Sequence, residues 1–131
     1  MRDGQRRFGL GVVGTGMGAK PHALALASLS DTIEVCSVFS RNRDKLGDFC
    51  RTYGFEAAES YEALLAEPNL DAVLVLTPPN ARKDIVQAAA AAGKHVLSEK
   101  PLERTLAAAE EIVAICDAAG VQLGVIFQHR F

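Results

Sequence analysis

Gly14-Thr15-Gly16-Met17-Gly18-Ala19 reads G-x-G-x-x-A and sits between a short apolar run and a stretch of helical character. In such a segment the first glycine turns a strand into a helix. The second leaves the backbone bare for close approach, and the small third residue lets helix and strand pack tightly. The helix N-terminus then offers N–H donors and a positive dipole to a pyrophosphate. The bland reading is an empty turn, because glycine turns match this pattern by chance. The flanking strand and helix favour a dinucleotide site built from Gly14, Thr15, Gly16, Met17, Gly18 and Ala19.

A second signal closes the second apolar run, Val38-Phe39-Ser40-Arg41-Asn42-Arg43. A dinucleotide fold uses Asp or Glu here to hold the ribose 2′-hydroxyl of NAD, and arginine to meet the 2′-phosphate of NADP. Ser40 stands where the acid would be, and Arg41 supplies a planar, permanently charged fork. Arg43 and Lys45 are farther candidates. Against this, the residues could be no more than a solvated basic helix start, although cations are mildly unfavourable there. The reading is NADP in preference to NAD.

Two further segments fall at strand ends. Thr77-Pro78-Pro79-Asn80 follows the fourth apolar run. Its double proline removes two donors and stiffens the loop, so that Thr77, Pro78 and Asn80 could wall a flat ring. Equally, the segment could be a rigid connector with Asn80 capping the next helix. Glu99-Lys100-Pro101 follows the fifth run. There Lys100 would project on the same side as the glycine loop, able to hydrogen-bond a substrate oxygen and assist proton transfer. Glu99 could orient that lysine, and Pro101 fixes the turn, with a cis bond possible. An isolated Lys-Pro is ordinarily just a surface lysine before a turn.

The elements that must position these residues alternate. Apolar runs at Phe8–Val13, Ile33–Phe39, Asp71–Leu76, His95–Ser98 and Gln122–Phe127, with a weaker one around Phe55, alternate with helical patterns. The helical patterns lie near Ala23–Leu29, Arg43–Tyr53, Tyr61–Ala66, Ala81–Ala92 and Thr105–Ala119, with Gly93 and Gly120 as C-terminal stops and Thr105 as an N-cap. Continuous apolar strands between helices predict an α/β, doubly wound Rossmann fold with a mainly parallel, six-stranded sheet. Pro21 conflicts with a helix opening at Gly16. Either the turn there is irregular and the helix restarts at the proline, or the helix is kinked.

Composition bounds the partners. The 131 residues are 49% hydrophobic and 23% charged, with a net charge of −2 from 14 basic and 16 acidic side chains. That is one domain's worth of chain, with no electrostatic footprint for nucleic acid. No apolar run approaches the about 18 residues of a membrane span, and no signal peptide is visible. Cys36, Cys50 and Cys116 are odd in number and lack metal-ligand spacing, which fits a reducing, cytoplasmic setting. His22, His95 and His129 are too scattered to suggest a metal site.

Glu99-Lys100-Pro101 after Gly93-Lys94-His95-Val96, together with the glycine loop and His22, resembles the glucose–fructose oxidoreductase / inositol dehydrogenase / rhizopine-catabolism (Gfo/Idh/MocA) family. The likeness runs from Phe8 to Phe131 and includes Leu70-Asp71-Ala72-Val73, Thr77-Pro78 and Gln128-His129-Arg130-Phe131. It implies a nicotinamide-dependent oxidoreductase acting on sugars, polyols or related cyclic compounds, with Lys100 as the catalytic residue beside the nicotinamide. Glu99 and Pro101 match residues that shape the nicotinamide pocket. Two departures stand out: Arg82 occupies a position where the family often has histidine, and Ser40-Arg41 replaces the acid of NAD-using members. The resemblance also implies a second, substrate-binding and dimerising domain beyond residues 1–131, so the chain alone is expected to bind cofactor without efficient turnover and the longer protein to be a homo-oligomer. The alternative is a dinucleotide-sensing regulator without catalysis, against which the intact Glu99-Lys100-Pro101 speaks.

Overall fold

The computed structural model describes residues 6–16 and 18–127. Met17 of the glycine loop and the closing Gln128-His129-Arg130-Phe131 lie outside the described residues. Five strands, β1 (Phe8–Val13), β2 (Ile33–Phe39), β3 (Ala72–Val75), β4 (His95–Glu99) and β5 (Leu123–Ile126), form one sheet in the order β2-β1-β3-β4-β5, and every pairing is parallel. The helices are α1 (Ala19–Ser28), α2 (Arg43–Tyr53), α3 (Tyr61–Leu65), α4 (Arg82–Ala91) and α5 (Leu106–Ala119), with a 3₁₀ turn at Pro79–Ala81 before α4.

The expected six-stranded sheet is corrected to five strands among the described residues. The segment near Phe55 contributes only a single parallel bridge, Val38 to Ala57, beside β2. Its apolar residue is used otherwise: the Phe55 ring lies 6.1 Å from Phe49 and 6.4 Å from Tyr53, packed on the end of α2 instead of facing along a ladder. Gly54 ends α2 in the left-handed region, and Ser60 already caps α3.

Parallel pairing buries both faces of the sheet, which explains the unbroken apolar runs. Successive residues serve opposite cores. Val13, Val73, Val75 and Val96 pack with Val86 and Ala89 of α4 and Ile112 and Cys116 of α5. Leu10, Val12, Ala72 and Leu74 pack on the other face with Leu26 of α1 and Leu46 and Cys50 of α2. Each such fully buried valine or leucine contributes about 1.5–3 kcal/mol relative to exposure. Two rigid layers therefore hold the strands' carboxyl ends in fixed relation.

The Pro21 conflict resolves simply. α1 begins at Ala19 with Gly18 as its N-cap, so Pro21 is the third helical residue, in the first turn, where no intrahelical N–H bond is lost. The Ala19 N–H donates to the Gly16 carbonyl at 2.9 Å, closing an irregular turn before the helix. The polypeptide enters β2 and β3 on opposite sides of β1, so the end of β1 is the point where the winding reverses. Open α/β sheets bind their ligands at such a point.

Candidate functional site

A cleft of about 1270 Å³ opens across the carboxyl ends of β1 to β4. Its centre is the glycine loop. Gly14 has φ +106°, a conformation that side chains rarely adopt, and a Cβ there would lie 2.9 Å from the Leu76 carbonyl carbon and the Thr77 nitrogen. The Gly14 N–H donates to the Phe39 carbonyl at 2.9 Å, and the Leu76 N–H to that of Val13 at 2.8 Å, so the loop is pinned between β2 and β3. Gly16 differs: a Cβ built on it meets nothing within 4 Å. The loop therefore presents bare backbone to open space at the amino end of α1, where Thr15 and Gly18 also line the cleft. Ala19 is 1% exposed and packs inward instead.

On one side lies the end of β2. Ser40, Arg41 and Lys45 line the cleft, Ser40 half-buried and both cations exposed. The Asn42 side chain accepts the Lys45 N–H at 3.1 Å and caps α2. Arg43 turns elsewhere, donating to the Ala58 carbonyl at 2.9 Å and that of Glu59 at 3.3 Å, and it does not line the cleft. Tyr61 and Phe39 form a stacked wall, with ring centroids 6.2 Å apart. The Tyr61 hydroxyl donates to the Ile85 carbonyl at 2.6 Å, and burial pushes its pKa above the ordinary phenol range, so it stays neutral.

At the end of β3, Thr77, Pro78 and Asn80 line the cleft. The helix cap expected of Asn80 in the connector reading is not made. α4 takes Ala81 as its N-cap and receives no side-chain cap, because the 3₁₀ turn leaves Asn80 one residue before the cap position. The Thr77 Oγ1 is buried with no hydrogen-bond partner among the described residues.

On the far side lies the end of β4. Lys100 and Glu99 line the cleft, and the Lys100–Pro101 peptide is cis. Glu99 does not orient the lysine side chain as the sequence led us to expect. Its Oε1 lies 2.7 Å from His22 Nε2, and its Oε2 accepts the backbone N–H of Lys100 at 3.1 Å. Lys100 itself is exposed, and its ammonium has no hydrogen-bond or ion-pair partner among the described residues. Pro101 lies outside the cleft lining.

Two side chains that the sequence reading named without placing at the cofactor site, His22 and Arg82, also line the cleft. His22 carries a signal in hindsight: Gly18, Pro21 and His22 fall at helical spacing on one side of α1, and all three line the cleft. Arg82, first residue of α4, is 3% exposed and points back toward the strand ends. Burial lowers its pKa, while the carboxylates of Glu99 and Glu103 act to raise it. Among the described residues no group of three or more His, Cys, Asp or Glu is placed to hold a metal. None of the described helices is long and apolar enough to cross a membrane.

The arrangement suits a dinucleotide: bare backbone and a helix N-terminus for a pyrophosphate, cations at one end, and a free lysine with an anchored carboxylate at the other. Residues 8–127 match the model of an oxidoreductase family described by its NAD-binding Rossmann fold. A D-xylose 1-dehydrogenase (NADP(+)) of Haloferax volcanii is 39% identical over 126 residues, covering 92% of this chain and 37% of that protein. The WlbA dehydrogenase of Bordetella pertussis, solved with NADH and UDP-GlcNAcA, superposes with a TM-score of 0.88 at 33% identity, covering 95% of this chain and 38% of the other. A 3-ketoreductase from Actinomadura kijaniata, solved with NADP, gives 0.82 at 34% identity over 95% of this chain and 42% of its own. The chain therefore spans little more than a third of the length of the relatives it matches.

Proposed function

The chain belongs to the Gfo/Idh/MocA oxidoreductase family, and we propose on that premise that it is the cofactor-holding part of an enzyme that oxidises or reduces a sugar, polyol or related cyclic compound. The observation that carries the reading is one cleft with the glycine loop at its centre, Arg41 at one end and Lys100 at the other. Gly16 and the amino end of α1 would take the pyrophosphate. Ser40, Arg41 and Lys45 would take the adenosine ribose and its 2′-phosphate, which makes NADP the preferred cofactor. When bound, the nicotinamide supplies or accepts a hydride.

Lys100 does the remaining work at the substrate oxygen, donating a proton in reduction and removing one in oxidation. Glu99 leaves Lys100 free by binding its backbone and His22 instead. Thr77, Pro78 and Asn80 wall the cleft between the two ends. Relatives named for xylose, inositol, levoglucosan, 1,5-anhydro-D-fructose and a dTDP-linked dideoxy sugar support the sugar or polyol class. Groups that orient the substrate come from sequence outside these 131 residues, as does the oligomer interface.

Titrating the chain with NADPH and NADH by calorimetry tests this reading. NADPH is expected to bind ~10-fold more tightly than NADH, and Arg41→Ala to abolish the difference, about 1.4 kcal/mol. A preference for NADH would overturn the cofactor choice, and binding of neither would overturn the site.

A further inference from the structure

Among the described residues Arg82 is the one charged residue buried as a whole, yet it bonds no carboxylate. Its Nε donates to the Thr77 carbonyl at 2.9 Å, and its Nη1 donates to the carbonyl of Glu99 at 2.5 Å and to that of Pro101. Burying a guanidinium is expensive unless the site has a use for it. Here the charge is solvated by three carbonyls from two segments, the loop after β3 and the turn after β4. Glu103, whose side chain is 8% exposed, adds to the field that keeps it charged.

These bonds complete a frame around one residue. The Glu99 carboxylate is tied to His22 of α1 and to the Lys100 N–H, while the carbonyls on either side of Lys100 are tied to Arg82. Gly14 packs against the Leu76–Thr77 peptide, one unit before the Thr77 carbonyl that Arg82 also grips. Backbone is thus held before and after Lys100, and the lysine side chain alone is left unrestrained.

We propose that Arg82 is a positioning residue that clamps the Thr77–Pro78 loop to the Glu99–Lys100–Pro101 turn and so shapes the nicotinamide end of the cleft. The proposal rests on the cofactor reading above. It deepens that reading by assigning the end's geometry to a planar donor fork that neither a lysine nor a neutral amide reproduces. Losing the fork takes a donor from three carbonyls, of which that of Glu99 keeps the Ser98 hydroxyl at 3.0 Å, and the turn moves to rehydrate the others.

The test compares a whole cofactor with its adenosine fragment on the 131-residue chain. NADPH reaches both ends of the cleft, whereas 2′,5′-ADP reaches only the β2 end. Arg82→Gln is expected to weaken NADPH binding ~10-fold and to leave 2′,5′-ADP within ~2-fold of the parent chain. Arg82→Lys keeps the charge without the fork and is expected to fall between. It decides the matter if Arg82→Gln fails to fold by circular dichroism. Equal losses for NADPH and 2′,5′-ADP, or no loss for either, would overturn the clamp while leaving the cofactor reading intact. A parent chain that binds neither compound would overturn both.

Discussion

At the β2 end of the cleft Arg41, just before α2, and Lys45, in its first turn, stand exposed with no side-chain partner among the described residues. At the β4 end, Glu99, Lys100 and Pro101 are held through His22 and Arg82, and the peptide between Lys100 and Pro101 is cis. The contrast follows from what each end must do. A phosphate can be met by flexible cations, because charge attraction falls slowly with distance and tolerates several geometries. A proton transfer must occur within hydrogen-bond reach, so its donor needs a fixed base. Recognition by charge is thus placed on mobile side chains, and chemistry on a pinned turn.

The comparison breaks most visibly through Lys100. In a form of the protein that carries the substrate-binding half, Lys100→Ala is expected to lower turnover by about 10²–10⁴-fold, the usual contribution of a positioned acid or base. Cofactor affinity should change little, because Lys100 lies beyond the phosphate loop. Steady-state rates with a panel of sugars, beside cofactor titrations, check both halves of that statement. Undiminished turnover would remove Lys100 from the chemistry and with it the reason for a pinned turn.

Gly16→Ala probes the pivot between the two ends. A Cβ there meets no atom of the described residues beyond its chain neighbours within 4 Å, so the thermal midpoint should be unchanged. The methyl group would stand where the pyrophosphate must approach, and affinity for the whole dinucleotide should fall ~10-fold or more. Loss of stability instead of affinity would mean that the loop serves the fold and not a ligand. Gly14→Ala makes the opposite case, since its φ of +106° and the 2.9 Å approach to Leu76 and Thr77 predict damage to the fold itself.

The smallest effect is expected at the opposite edge of the sheet. Asp71 accepts from Arg6 at 2.8 Å through both oxygens and from the Gly9 N–H at 2.7 Å. The bond to Arg6 is the main cause holding its carboxyl below the ordinary range, opposed by some burial. A depressed folded-state pKa means that this contribution is complete above the unfolded carboxylate pKa of about 3.9 and is lost as pH falls through the folded value. Asp71→Asn, which turns an amide donor toward the guanidinium, should lower the neutral-pH midpoint by about 3 °C and flatten the acid limb of stability. Cofactor affinity at either end of the cleft should not move. Thermal melts from pH 7 to pH 2 provide the measurement.

How far the sequence could show this depended on whether a residue's role was local. The bounds of β1, β2 and α2 were legible because apolar runs, the glycine stops and the helix start are written within a few residues of each other. The sixth strand was not, because Phe55 reads as a strand residue until Phe49 and Tyr53 are seen to take it. Glycine loop, Arg41 and Lys100 were legible as types at strand ends. Apart from the bond of Arg82 to Thr77, five positions away, the Arg82 and His22 bonds join residues 17 to 77 positions apart, and neither has a motif that announces its partner. Arg43 shows the converse, a cation in the right stretch whose guanidinium is used to fasten residues 58 and 59.

The central claim is that one dinucleotide lies across all four strand ends. Amide hydrogen exchange of the chain with and without saturating NADPH tests it most directly. The account predicts slowed exchange in three separate stretches, residues 14–22, 40–45 and 77–101, within the last of which protection is confined to its two ends. It predicts no change around Asn69–Asp71 at the opposite edge of the sheet. Binding that protects the glycine loop alone, or that leaves residues 99–100 unaffected, would contradict it.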